Sequence, residues 1–288
     1  MEPALEQCLP RIRALRPDLD LSTARLNQDG LINDVVIVED AWVFRFARSE
    51  RGVQALAGEL QVLAALAGRL PVAVPVPVHA ERDLVVYPYL PGQPLSRALW
   101  LSWTPAARAR LAAELGAALH ALHTTPLPAD LPRTRAPVTR AVWEDLRVRV
   151  EARIAPLLQA HQLVWLRGLW AELFETPDAF AFSPALIHGD IDLYHWLYDP
   201  ATGRLTGLID FGMAGAGDPA NDLAVLLQIL GESALESFAP AYPLAEPVLR
   251  RARRYAQTIE LEWVLNGLES GETFWFTAHL GNARDLRV

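Results

Sequence analysis

Hydrophobic and polar positions alternate in distinct regimes along the chain. Val35-Val36-Ile37-Val38 and Trp42-Val43-Phe44-Arg45-Phe46 are β-rich runs separated by the polar pair Glu39-Asp40, which predicts a hairpin with Arg45 on its second strand. From Arg51 to Leu66 the apolar residues Val53, Leu56, Leu60, Leu63 and Leu66 recur every three or four positions, the period of an amphipathic helix, and Glu59 lies within it. A proline-punctuated stretch from Val72 to Val78 leads to Leu84-Val85-Val86-Tyr87, a predicted strand that Pro88-Tyr89-Leu90-Pro91-Gly92 must end. A boundary at this point divides the chain into residues 1–88 and 89–288. The next hundred residues are helical in pattern, with Thr104-Pro105 as N-cap and first-turn pair of a run to Leu122. Ala185-Leu186-Ile187 then leads into His188-Gly189-Asp190, and Trp196-Leu197-Tyr198 with Leu205 to Ile209 flanks the turn Asp199 to Gly203, a second hairpin. After Asp218-Pro219 the pattern is helical to the end.

Composition narrows what such a chain can do. Of its 288 residues 51% are hydrophobic and 21% charged, the balance of a folded protein. Its apolar stretches fall short of the about 20 residues that cross a bilayer, and no signal-peptide core follows Met1, so a cytoplasmic protein without a membrane partner is expected. The net charge of −8 argues against nucleic acid and for a cationic small molecule. Cys8 is the only cysteine, which excludes an internal disulfide and any cysteine-built metal cluster. All 26 basic residues are arginine. An arginine where chemistry usually employs lysine therefore fits the composition of the whole chain.

His188-Gly189-Asp190 with His195 five residues beyond Asp190 resembles a kinase-type catalytic loop, and Asp210-Phe211-Gly212 after the hairpin adds the second carboxylate that a metal–nucleotide site requires. With Gly217-Asp218-Pro219, Asp222-Leu223-Ala224, Asn33-Asp34-Val35, Trp42 to Phe46, Glu59, Tyr87 to Gly92 and Leu119 to His123, the chain resembles the aminoglycoside phosphotransferase family, macrolide phosphotransferases included. The resemblance covers most of the chain. It implies an α+β, protein-kinase-like two-lobed fold, with a small β-rich N-terminal lobe, a larger helical C-terminal lobe and the active site in the cleft. It also implies transfer of the γ-phosphate of ATP or GTP to a hydroxyl of a small molecule, an amine-bearing antibiotic or metabolite.

The resemblance assigns roles residue by residue. Asp190 is the catalytic base; Asp210 and His195 hold Mg²⁺, and the imidazole admits Mn²⁺ as well. Arg45, in the place of the customary lysine, contacts the phosphates and Glu59 orients it. The Pro88 carbonyl and Leu90 amide bind the purine, Gly30 belongs to a short loop over the phosphates, and Asp222 braces the catalytic loop. His188 reads as a packing residue, Asp192 as solvated or a loop hydrogen-bonder, and Asp218 as a helix cap. Between Tyr255 and Leu280 there are acids but no arginine. Glu260 and Glu262 are the candidates there for an acidic wall facing an amine-bearing substrate, against the reading of an ordinary solvated helix face. The alternative function is a nucleotide-binding pseudokinase or regulatory module, motivated by Arg45 and by His195 in the usual place of asparagine. A protein kinase is disfavoured because no Ala-Pro-Glu signature follows Asp210.

Overall fold

The computed structural model describes residues 3–27, 32–134, 139–176 and 179–276. An N-terminal helix, α1 (Pro3–Leu15), precedes β1 (Arg25–Asn27), β2 (Asn33–Val38) and β3 (Trp42–Ala47). With β4 (His79–Ala80) and β5 (Leu84–Pro88) these form an antiparallel sheet of order β1-β2-β3-β5-β4. The expected first hairpin is β2–β3. Its turn is made by Glu39 and Asp40, both left-handed at φ 57° and 49°, the twist that joins antiparallel strands without splaying them.

Strand alternation gives the sheet two different faces. Val36, Val38, Phe44, Phe46, Leu84 and Val86 pack with Leu5, Cys8 and Ile12 of α1. Ile37, Val43, Val85 and Tyr87 pack with Leu56 of α2 (Glu50–Leu66), whose N-cap Ser49 accepts the Gly52 amide at 3.3 Å. Arg45 shares the α2 face with Val43, so a one-residue slip of β3 would turn its side chain away from Glu59.

The remainder is built on helices α3 (Arg97–Ser102), α4 (Pro105–His123), α5 (Arg140–Arg153), α6 (Ala160–Phe174), α7 (Ala220–Leu230), α8 (Glu232–Phe238) and α9 (Glu246–Ser270). They enclose one core containing Leu111, Leu115, Leu119, Leu223, Leu227 and Phe238, with Trp143 stacked on Tyr255 at 4.8 Å. The helical stretch expected after Pro219 is three separate helices: Gly231 at φ 87° separates α7 from α8, residues 239–245 connect α8 to α9, and Gly271 at φ 77° ends α9 in a left-handed cap.

Two small sheets lie where the lobes meet. β7 (Ala185–Ile187) pairs with β10 (Gly215–Gly217), while β6 (Gln93–Pro94), β8 (Trp196–Asp199) and β9 (Arg204–Leu208) pair in the order β6-β8-β9. β8–β9 is the expected second hairpin. Gly92, just before β6, has φ 134°, and a Cβ there would lie 2.5 Å from Thr206 Oγ1, so the chain can cross the hairpin at this point only as glycine. Among the described residues no helix is long and apolar enough to cross a membrane.

Candidate active site

β7 delivers the chain into His188-Gly189-Asp190, and Asp222 in the first turn of α7 fixes the shape of that turn. Its carboxylate accepts the amides of His188 and Gly189, both at 2.8 Å, and His123 Nε2 at 3.1 Å. Burial opposes ionisation of Asp222, but the bond from His123 and the bond from the His188 backbone amide hold its pKa below the ordinary carboxylate value. Gly189 has φ 79°, and a Cβ would approach the Met213 carbonyl to 2.7 Å, which makes glycine obligatory here. His188 Nε2–H donates to the Ile209 carbonyl at 3.0 Å and its ring packs on Phe211. Burial pushes its pKa down to about 4, so it is an uncharged spacer between the two acidic segments.

Asp190 follows, half-buried. Burial raises its pKa; His195 opposes that shift, while Asp210 and Asp222 reinforce it. The result is a stronger base than a solvated aspartate. Asp192 is half-buried rather than solvated, and burial raises its pKa against the opposing pull of His195.

Asp210 stands at the end of β9 in the left-handed region, φ 65° and ψ 67°, an unusual backbone for a residue other than glycine. Its carboxylate faces two groups from distant segments: Arg45 Nη2 at 2.9 Å from Oδ1 and His195 Nε2 at 3.7 Å from Oδ2. Burial works to raise the Asp210 pKa, but Arg45 and His195 outweigh it and bring the value to about 2.

His195 Nδ1–H donates to the Asp190 carbonyl at 2.7 Å, which leaves Nε2 as the atom directed at Asp210. When Nε2 carries no proton, this nitrogen and the Asp210 oxygen 3.7 Å away are two electron donors facing one space that a cation can occupy. The arrangement therefore fits a divalent metal with these two side chains as its protein ligands. No cluster of three or more such ligands occurs among the described residues, so phosphate and water oxygens would complete the coordination, as magnesium prefers.

Arg45 joins the two lobes. Nη1 donates to both oxygens of Glu59, at 2.7 and 2.9 Å, while Nη2 holds Asp210. Asn33 is satisfied when its side-chain oxygen faces Arg45 Nη2 (2.9 Å) and its nitrogen faces the Ile32 carbonyl (3.2 Å). Burial alone would favour a neutral Arg45, but Glu59 and Asp210 hold its pKa above the ordinary value and the guanidinium stays charged. A lysine ammonium has no such planar fork, so holding Glu59 through one terminal nitrogen and Asp210 through the other belongs to arginine.

At the lobe junction the Tyr89 amide donates to the Ala41 carbonyl at 2.8 Å. Antiparallel pairing alternates sides, so the Pro88 carbonyl points away from β3, and the next backbone group on that open side is the Leu90 amide. Gly30 lies outside the described residues. Glu260 and Glu262 are both on α9, but two residues apart they diverge by about 200° around the axis. Glu260 is exposed, whereas Glu262 is half-buried beside Arg149 and burial raises its pKa to about 7. The two carboxylates thus do not line one wall.

Three connections were not anticipated from sequence. The Asp210–Arg45 contact spans 165 positions, beyond any local pattern. Behind Asp222, His123 is itself bonded to Tyr242 at 2.7 Å. Asp218 does more than cap a helix: besides the Ala220 amide (3.0 Å) it accepts Arg251 Nε (2.7 Å), Arg251 Nη2 (3.0 Å) and the Tyr255 hydroxyl (3.1 Å), tying α9 to the segment after Asp210.

The chain is similar to known phosphotransferases in sequence and in fold. Over 213 residues the chain is 27% identical to a viomycin phosphotransferase of Streptomyces vinaceus, covering 69% of this chain and 71% of that protein. Its fold matches wild-type aminoglycoside 2'-phosphotransferase-IIIa in complex with GDP at a TM-score of 0.81 and 25% identity, over 97% of this chain and 96% of that one. A macrolide 2'-phosphotransferase type I matches at a TM-score of 0.73 and 27% identity, over 97% and 96%. The protein-kinase-like α+β fold expected from the sequence is therefore the fold observed. Residues 23–255 match the family described as the phosphotransferase enzyme family, and the chain belongs to that family of nucleotide-dependent phosphotransferases.

Proposed function

We propose that this chain transfers the γ-phosphate of ATP or GTP to a hydroxyl of an amine-bearing small molecule, an antibiotic or a metabolite, in the cytoplasm. The observation that carries the reading is the convergence of three segments, the loop of Asp190 and His195, Asp210 after β9 and Arg45 on β3, on one point of the cleft. Phosphoryl transfer asks a protein to align two oxygens and to neutralise spreading charge, with little covalent chemistry of its own. Asp190 accepts a hydrogen bond from the acceptor hydroxyl and takes its proton. Arg45 meets the phosphates with the Nη2 side of its fork while Glu59 keeps the other side in place. Asp210 and His195 are the residues that would hold Mg²⁺ or Mn²⁺. The metal's contribution there is to neutralise the triphosphate and orient it. Pro88 and Leu90 offer the purine one carbonyl and one amide. Asp222 keeps the turn at Gly189 from drifting.

The amine-bearing acceptor rests on the net charge of −8 and on relatives named for viomycin and aminoglycosides. Of the two α9 acids, Glu262 is the better candidate for an ammonium group, since it sits in a partly desolvated position where charge attraction is stronger.

A coupled nucleotide-consumption assay over aminoglycosides, peptide antibiotics, macrolides and amino-alcohol metabolites tests the reading. Acceptor-dependent release of ADP or GDP together with a phosphorylated product is expected. Nucleotide binding with no turnover on any hydroxyl compound would point to the pseudokinase alternative.

A further inference from the structure

Asp222 is held from the turn side by backbone, but on its other side it depends on a buried relay that the proposed chemistry does not use. His123, near the end of α4, lies between Asp222 and Tyr242, a residue of the connection between α8 and α9. Its Nε2 is 3.1 Å from Asp222 Oδ2 and its Nδ1 is 2.7 Å from the Tyr242 hydroxyl. All three side chains are buried. The Tyr242 ring stacks on His120, with centroids 5.1 Å apart and planes at 19°, so packing aims the hydroxyl.

Counting hydrogens fixes the direction of the relay. Ionised Asp222 is acceptor-only and already takes two amides, so it needs a proton on His123 Nε2. A neutral imidazole then presents a lone pair at Nδ1, and the Tyr242 hydroxyl, which has no other partner among the described residues, supplies the hydrogen. Without that hydroxyl the Nδ1 lone pair is buried with no donor among the described residues, and Asp222 alone opposes a move of the ring proton to Nδ1. Nε2 would then turn a lone pair on the carboxylate.

We propose that Tyr242 is a positioning residue for phosphoryl transfer: its hydroxyl holds His123 in the Nε2–H tautomer, and through Asp222 it fixes the His188–Gly189 turn that aims Asp190. The proposal rests on the reading of Asp190 as the base. It links the α8–α9 connection to the catalytic loop through three side chains, without a contact between Tyr242 and either substrate.

The test uses two readouts. The ring ¹⁵N shifts of His123, assigned by their loss in His123→Gln, report the tautomer whatever Asp190 does. Steady-state kinetics and direct nucleotide titration separate kcat from nucleotide affinity. Tyr242→Phe keeps the stacked ring and removes one buried hydrogen bond, so it should lower kcat roughly 3- to 30-fold while nucleotide affinity stays within about twofold. The His123 signals should move toward the Nδ1–H tautomer. Because both residues act through one path, Tyr242→Phe combined with His123→Gln should cost no more than the larger single change. An unshifted tautomer, an unchanged kcat, or multiplicative losses in the double variant would each overturn the relay. Normal turnover by Asp190→Ala would instead sink the base assignment and leave the tautomer result standing, so the two failures can be told apart.

Discussion

The two walls of the cleft neutralise buried carboxylates by opposite means. On the sheet side Glu59 is held by a single guanidinium that also reaches Asp210. On the helical side Asp222 is held by two backbone amides and one imidazole. A guanidinium has donors to spare, so Arg45 can exchange its bond to Asp210 for a phosphate oxygen while keeping Glu59. The partners of Asp222 are the path of the chain itself and cannot be exchanged without unmaking the turn. The part of the site that meets a changing ligand is thus built from side-chain charge. The part that must keep one atom in line is built from backbone.

The largest effect should come from the residue that the rigid wall aims. Asp190→Ala leaves both carboxylate arrangements intact and removes only the proton acceptor, so kcat should fall about 10²- to 10⁴-fold, the usual range for a general base. Nucleotide affinity, measured by calorimetry, should barely change. Turnover within a few-fold of the parent would remove Asp190 from the chemistry and leave the helical wall as mere scaffolding.

Arg45→Ala attacks the exchangeable wall and should do two separable things. Loss of a charge-assisted contact to phosphate should weaken nucleotide binding roughly 10- to 100-fold. Stranding Glu59 should also destabilise the fold by about 3–5 kcal/mol. Adding Glu59→Gln removes the stranded charge, so the double variant should regain most of its thermal stability and none of its nucleotide affinity. Recovery of both together would mean that Arg45 is a structural partner of Glu59 and does not touch phosphate.

The walls also differ in how they tune acidity. Burial works to raise Asp210, but the Arg45 guanidinium leads the groups that bring it to about 2, while burial and two neighbouring acids raise Asp190. A base works when ionised, so activity should be present at high pH and fall as pH drops through the raised Asp190 value. The acid limb of kcat/KM should therefore lie above the ordinary aspartate pKa of about 3.9 and drop about tenfold per pH unit below it. A limb at or below that value would place Asp190 in open solvent.

The sequence displays the parts of this site that are local. Hairpin β2–β3 and helix α2 follow from alternation and from spacings of three and four, which together put Arg45 and Glu59 on facing surfaces. Asp190, His195 and Asp210 are legible because one loop and one hairpin separate them. The encounter of Arg45 with Asp210 has no local signal, since it depends on how two lobes close over a cleft. The relay from Tyr242 is hidden for a related reason: His123 and Tyr242 look like ordinary members of an apolar helix and a loop until packing brings them together. The divergence of Glu260 and Glu262, by contrast, could have been read from helical geometry alone, because residues two apart never share a face.

Among the described residues, Glu262 is a third way of placing a carboxylate out of solvent, half-buried with neither a committed cation nor backbone donors. Arg149, the guanidinium that acts on it, is engaged with Glu269 at 3.1 Å and Asp145 at 2.9 Å. Burial raises the Glu262 pKa to about 7, against the weaker opposing pull of Arg149. In the unfolded chain a glutamate titrates near 4.3. Below pH 4 both states are protonated and the full stability is present. As pH rises from 4 to 7 the unfolded chain releases its proton first and stability is lost; above 7 both are ionised and the deficit is constant. Glu262→Gln does not titrate, so its advantage over the parent should be absent at pH 4, open between 4 and 7, and reach about 1–3 kcal/mol at pH 8. Urea melts of the two proteins at pH 4, 6 and 8 measure it. An amine-bearing acceptor that meets Glu262 would supply the missing cation, so it should stabilise the parent at pH 8 more than the glutamine variant and narrow the gap. A gap that ignores pH would show that Glu262 is already paired, and one that ignores an amine-bearing acceptor would take Glu262 out of the acceptor site.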